Sequence, residues 1–215
     1  PETKRRFKNL MDVTGLSAEL AMQTASPCTE EELARVHPLG FLHKFQELSA
    51  ANGGELGLRT PFLKGGYEIA SLSAVLSRSA LCDVLSGKLK NAYALSRPPG
   101  HHCLPDWPNG FCLLANLAIA IEAAKAQGLA TRFAVIDWDV HHGNGTEHIF
   151  YDRDDVLTIS IHEEENYPIN SGHLADKGRG AGLGYNMNFH LPPGTGHACY
   201  LETLDKIFLP ALARF

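Results

Sequence analysis

The sequence predicts an α/β fold with a central, mostly parallel sheet flanked by helices on both faces, and three observations lead there. From Ala92 onward, short apolar runs of strand length alternate with helix-length segments, the pattern of crossover connections between parallel strands. The strand ends carry groups of His, Asp and Glu, as expected where ligands bind beyond the carboxyl ends of parallel strands. The 215 residues, 44% of them hydrophobic, suffice for one large core. No linker, internal repeat or low-complexity segment divides the chain, so residues 1–215 read as a single domain.

The elements follow in order. Thr29-Glu30-Glu31-Glu32 has the spacing of a capping box and opens a short helix that Pro38 interrupts, after which residues 39–48 form a second helix. Residues 68–85 place Ile69, Leu72, Leu76 and, less regularly, Leu81 and Val84 at helical spacing, with Gly87 as a cap. A strand is expected at 92–95, then a Pro-rich loop, a helix over 112–127 closed by Gly128, and strands at 133–140, 156–161 and 185–191. Gly178, Gly180, Gly182 and Gly184 lack the Lys-Ser/Thr of a phosphate-binding loop and precede a strand, so they read as a flexible turn. Residues 207–215 read as a helix running on. With Pro1 in place of Met, both ends of the domain are expected to be cut.

Composition narrows the function classes. A formal charge of −5, with no basic cluster beyond Lys4-Arg5-Arg6, argues against a nucleic-acid-binding surface. No apolar run approaches the ~18 residues of a spanning helix, and the amino terminus does not read as a secretory signal. Five widely spaced cysteines without a C-x-x-C pair point to a reducing cytoplasm rather than a disulfide framework.

The densest chemistry lies in Asp137-Trp138-Asp139-Val140-His141-His142-Gly143-Asn144-Gly145. In an extended chain Asp137, Asp139 and His141 share one face while Trp138 and Val140 point into packing. Burying unpaired carboxylates in an apolar layer is costly, and a divalent cation offsets that cost. Asp139 and His141 offer the oxygen and nitrogen that suit zinc, the alternative being a pair of mutually satisfied polar groups. A catalytic zinc site needs a third protein ligand.

A second constellation is Arg97-Pro98-Pro99-Gly100-His101-His102, followed by Trp107-Pro108-Asn109-Gly110-Phe111-Cys112. The prolines stiffen the approach and Gly100 lets the backbone pass close to another element. A carboxylate partner raises one imidazole's pKa while its neighbour stays lower, which separates acid and base roles, whereas an isolated His-His pair is usually structural. Cys103 and Cys112 flank this region, either as inert thiols or as a redox pair. Glu163-Glu164-Glu165 reads as a solvated acidic loop or as an attractor of protonated amines.

Taken together, residues 97–102, Gly110-Phe111-Cys112 and residues 137–145 resemble the zinc-dependent histone deacetylase family, including bacterial histone deacetylase-like and acetylpolyamine amidohydrolases. Asn144 and the Arg-Pro-Pro-Gly-His-His form resemble its class II branch. The likeness extends from Pro1-Glu2 and Arg35-Val36-His37 to residues 191–196. It implies an arginase/deacetylase-like fold and hydrolysis of acyl groups from lysine side chains or polyamines. It further implies zinc held by Asp139 and His141, His102 as general base and then acid, His101 paired with Asp137, and Asn144 orienting His102. Gly110, Phe111 and Tyr167 would wall the substrate tunnel. Potassium would sit among Asp137, Ser160, Ile161 and the backbones of Asp139 and His141, and a second potassium near Phe150, Arg153, Val156 and Tyr185. The family's third zinc ligand, an aspartate, and its oxyanion-donating tyrosine are expected beyond Phe215. Some relatives with small substrates restrict their tunnel by dimerisation, so a homo-oligomer is compatible. The competing readings are a catalytically silent acyl-amine-binding or scaffold module and an arginase-type ureohydrolase with two manganese ions.

Overall fold

The computed structural model describes residues 2–215; the Pro1 part of the resemblance lies outside them. Helices α1 (Thr3–Val13) and α2 (Leu16–Glu19), neither legible in the pattern, precede α3 (Glu30–Ala34) and α4 (Leu39–Ala50). The capping box opens α3 as its spacing required: Glu32 N donates to Thr29 Oγ1 and Thr29 N donates to the Glu32 carboxylate. A small antiparallel hairpin, β1 (Gly53–Glu55) and β2 (Pro61–Leu63), leads into α5 (Gly66–Leu85) and α6 (Asn116–Ala126). Then come β3 (Phe133–Asp137), α7 (Asn144–Phe150), β4 (Val156–Glu163) and β5 (Asn186–Leu191). The chain closes with α8 (His197–Thr203), a π-helical stretch over Leu204–Phe208 and α9 (Leu209–Arg214).

Strands β3, β4 and β5 form a parallel sheet in chain order, with Asp137 opposite Ser160 and His162 opposite His190. Alternation along the strands sends side chains to two cores. On one face Phe133, Val135 and Val156 pack with Ala118, Ile121 and Ala124 of α6; on the other, Leu157, Ile159 and Ile161 pack with Phe208. Each such Ile or Phe contributes about 1.5–3 kcal/mol through burial. The doubly covered sheet buries β4 on both faces, including the polar Thr158, Ser160 and His162 that alternate with its leucine and isoleucines. A third core joins Leu33, Leu42 and Phe45 to Leu114 and Ile119. Among the described residues no helix is long and apolar enough to cross a membrane.

Four expectations require correction. Residues 92–95 are not a strand: the backbone bond made there is the local Ser96 N to Ala94 O, 2.9 Å, and no ladder forms. Helix α6 starts at Asn116 instead of Cys112, because Cys112 exchanges backbone bonds with Asn109 and Ala115 N donates to His37 Nε2. The face of α5 turned inward is the small one, Ala70, Ser71, Ser73, Ala74 and Val75, while Ile69 and Leu72 are exposed; small residues permit the close approach to α6 that larger ones would block. Strand β3 ends at Asp137, three residues early. There Asp137 Oδ1 accepts from Asp139 N at 3.0 Å and Asp139 Oδ1 from His141 N at 2.9 Å, successive side-chain turns that compete with the ladder. Trp138 and Val140 are therefore exposed, at 69% and 43%, instead of packed.

Candidate active site

Two chain segments build the site. Residues 97–103 are held from below by α5 and α6, where Ser73 Oγ donates to Pro98 O at 2.6 Å and Asn116 Nδ2 donates to the same carbonyl at 3.1 Å. A Cβ on Gly100 would lie 2.5 Å from Asn116 N, so the close passage needs glycine. From the other side α7 caps the loop: Gly145 N and Thr146 N both donate to His101 O, at 2.9 and 3.1 Å.

The two imidazoles stack with centroids 3.9 Å apart. His101 Nδ1 bonds Asp137 Oδ2 at 2.8 Å, and His102 Nδ1 donates to Asn144 Oδ1 at 2.9 Å. With Nδ1 as donor, His102 keeps its lone pair on Nε2. Burial disfavours charge on His101, but the hydrogen bond and charge of Asp137 outweigh it and raise its pKa above the ordinary value. His102 has no such partner; burial first, then the positive charge of His101, pushes its pKa down to about 4. One ring is thereby favoured as a cation and its neighbour as a neutral base.

Asp139 and His141 stand across from this pair, the His141 ring 6.0 Å from that of His102. They do not share a strand face, because β3 has already ended, yet the turn draws them together: His141 Nδ1 lies 3.0 Å from Asp139 Oδ1. Burial alone would raise the Asp139 pKa, but the His141 N–H, the His101 charge and the His141 ring hold it below the usual range. The two donors are of the types zinc takes and lie close enough to share one ion. Among the described residues they are joined by no third ligand, since no group of three His, Cys, Asp or Glu there could hold a metal.

Tyr167 and the Gly110–Phe111 turn stand beside His102. The Tyr167 ring stands edge-on to both His102, at 5.1 Å, and His141, at 6.2 Å, and its hydroxyl bonds Asn109. Phe111 is 68% exposed with φ +67°, and Gly110 beside it has φ +49°. A Cβ on Gly110 would lie 2.4 Å from His102 Cδ2 and 2.8 Å from Tyr167 Cε1. Glycine there lets this turn approach His102 and Tyr167 closely.

The remaining singled-out residues fall as follows. Asp137 and Ser160 are register partners on neighbouring strands, next to buried Ile161, and Ser160 Oγ bonds His162 Nδ1 at 2.9 Å. Phe150 O accepts from Arg153 N at 3.0 Å, and Tyr185 O accepts from Thr158 N of β4 at 2.9 Å. The Arg153 side chain is engaged elsewhere, by Asp155 and Glu122. Glu163 and Glu164 turn to Asn166 and His190, lining a cavity of about 390 Å³ beside Tyr167. Cys103 and Cys112 are fully buried, and burial pushes the Cys112 thiol up to about 12, the state of an unreactive thiol.

Sequence reasoning quoted Asn109 and Gly143 within its two constellations without giving them a role, and missed Glu147. A Cβ on Gly143 would lie 2.4 Å from Asp137 Oδ2. Glu147 accepts from Asn186 and Asn188 of β5; the Asn-x-Asn alternation of two polar side chains on one face of an otherwise apolar strand was the available signal.

Residues 1–215 match the family model described as the histone deacetylase domain. A histone deacetylase-like amidohydrolase of Pseudomonas aeruginosa is 54% identical over 215 residues, covering 100% of this chain and 57% of that protein. Acetylpolyamine amidohydrolase 1 of the same organism is 38% identical over 197 residues, covering 88% of this chain and 56% of that protein. The crystal structure of an acetylpolyamine aminohydrolase from Burkholderia pseudomallei superposes with a TM-score of 0.86 at 31% identity, covering 100% of this chain and 70% of that one. The chain thus spans a little over half the length of the curated relatives it matches. Because the histone deacetylase domain model matches residues 1–215 of the chain, the chain belongs to that family.

Proposed function

We propose that the protein is a zinc-dependent amidohydrolase that removes acetyl or similar acyl groups from lysine side chains or polyamines. The observation that carries this is the stacked His101–His102 pair, His101 raised by Asp137 and His102 lowered by burial and the His101 charge, set against the Asp139–His141 donor pair. The names of the relatives, a histone deacetylase-like amidohydrolase and acetylpolyamine amidohydrolases, support the same chemistry.

In this reading Asp139 and His141 would be two of the residues that hold zinc. The ion, when bound, polarises the acyl carbonyl and acidifies water. His102 Nε2 takes the proton from the attacking water as the oxygen–carbon bond forms. It then returns a proton to the amine nitrogen as the carbon–nitrogen bond breaks, leaving a carboxylate and a free amine. His101, kept positive by Asp137, offsets negative charge developing near the carbonyl. Asn144 fixes the His102 tautomer, and Phe111, Gly110 and Tyr167 sheathe the acyl-amine stem. Asp137, Ser160 and Ile161 would hold one potassium ion, and the backbone around Phe150, Arg153, Val156 and Tyr185 a second. A cytoplasmic location suits five free cysteines, and the substrate is an acylated amine rather than nucleic acid.

The test is hydrolysis of an acetyl-lysine peptide and of N-acetylputrescine by the full-length protein, beside His102→Ala. Loss of about 10²–10⁴-fold in kcat is expected; equal activity in both proteins would overturn the assignment.

A further inference from the structure

We infer that Glu147, which has no part in the chemistry above, is a positioning residue for His102: it anchors α7 to β5 so that Asn144, one turn earlier on the helix, holds His102 Nδ1. The inference rests on the deacylation reading and adds to it a residue that touches neither substrate nor metal.

Helix α7 has only seven residues and no side-chain N-cap, so its internal hydrogen bonds alone would not fix its position. Its first turn lies flush on the catalytic loop. Beyond the two bonds to His101 O, a Cβ on Gly145 would lie 2.4 Å from Cys103 O and 2.6 Å from the His102 carbonyl carbon. Any displacement of α7 therefore moves the His101–His102 backbone and the Asn144 side chain together.

Glu147 opposes that displacement from the other side. Its carboxylate accepts from Asn186 Nδ2 at 2.7 Å and from Asn188 Nδ2 at 2.6 Å. Both amides are buried and, two residues apart, lie on one face of β5. They are fixed further by the Asp176 and His173 carbonyls, at 2.7 and 3.4 Å, and Asn186 Oδ1 accepts from Thr158 Oγ1 at 2.5 Å. His142 Nε2 lies 3.3 Å from the same carboxylate oxygen. A half-buried carboxylate with two charge-assisted amide bonds is a firm anchor, and one turn separates it from Asn144 on the same helix face.

The experiment is a double-mutant cycle in the full-length enzyme, measuring kcat and KM on an acetyl-lysine peptide for wild type, N144A, E147A, E147Q and N144A/E147A. Thermal unfolding and zinc content are followed in parallel. E147A is expected to lower kcat by about tenfold or more with KM within about twofold. E147Q, whose amide oxygen still accepts, should recover most of the activity. The double variant should be no slower than N144A, because both changes remove the same restraint on His102. The downfield Nδ1 proton resonance of His102 should broaden or vanish in E147A and persist in E147Q. If E147A folds poorly, N188A removes one anchor from the β5 side and runs the same cycle with a smaller factor.

Multiplicative losses in the double variant, wild-type kcat in E147A, or an unchanged Nδ1 resonance would each overturn the inference. A wild type inactive on every acylated amine would instead defeat the deacylation reading, and the resonance of His102 in E147A against E147Q would still decide the placement.

Discussion

Lowering the pH from 7 to 5 should weaken the fold through His37, a residue with no part in the proposed chemistry. His37 is wholly buried and bridges two loops: Ala115 N donates to its Nε2 at 3.0 Å, and its Nδ1 lies 2.6 Å from Pro105 O. The ring must be neutral, with its proton on Nδ1, since protonating Nε2 would set two donors against each other. Burial lowers its pKa to about 4 from 6.5, against the opposing pull of the Pro105 carbonyl. In the unfolded chain the ring takes a proton below about 6.5, whereas the folded ring resists until about 4. The unfolded state thus binds more protons in that window, and stability present above pH 6.5 is lost as pH falls. The full loss approaches about 3 kcal/mol, and roughly 2 kcal/mol of it falls between pH 7 and 5. Urea unfolding followed by tryptophan fluorescence, with Trp107 two residues from Pro105, measures it. A His37→Gln variant keeps one donor and one acceptor but does not titrate, and comparison with it cancels the other histidines. The stability gap between wild type and variant should narrow by about 2 kcal/mol from pH 7 to 5. A gap that stays constant with pH would refute the reasoning, because His37 would then titrate alike in both states.

Other outcomes follow from the same geometry. Gly110→Ala should cost at least about tenfold in kcat/KM, since the new Cβ would lie 2.4 Å from His102 Cδ2 in a left-handed backbone; steady-state kinetics on an acetyl-lysine peptide would show it, and unchanged kinetics would remove Gly110 from the wall. Arg153→Met leaves the Asp155 and Glu122 carboxylates without their guanidinium and should destabilise the protein by about 1–3 kcal/mol in urea unfolding, discounted for partial solvent access. A thiol reagent on the native protein should label Cys28, Cys82 and Cys199 ahead of Cys103 and Cys112; early modification of either buried thiol would revive the redox alternative. Chelation should abolish hydrolysis and one equivalent of zinc restore it, while two equivalents of manganese by metal analysis would favour the ureohydrolase reading.

The α/β class, the parallel sheet and the α3 cap were legible because local rules carry them, while the pairing of His101 with Asp137 was expected only from the family resemblance. Periodicity marks strands and helices, Thr29 and Glu32 close their own box, and motif spacing gathers the imidazoles at one sheet edge. What resisted reading depended on one local competition and otherwise on contacts between segments distant in the chain. The side chains of Asp137 and Asp139 ended β3 early by capturing backbone N–H groups, a competition that alternation does not encode. The outward turn of Ile69 and Leu72 was set by how closely α5 meets α6, and residues 92–95 lacked a ladder partner. Glu147 looked ordinary in sequence and His37 entered only within the stretch that carries the family likeness, since nothing local distinguishes a surface carboxylate or imidazole from a buried one. The sequence by itself determined which chemical groups are present and, through periodicity, the class of scaffold that carries them. Only the tertiary structure decided which of those groups are desolvated and touching, and pKa values and hydrogen-bond partners depend on burial and distance.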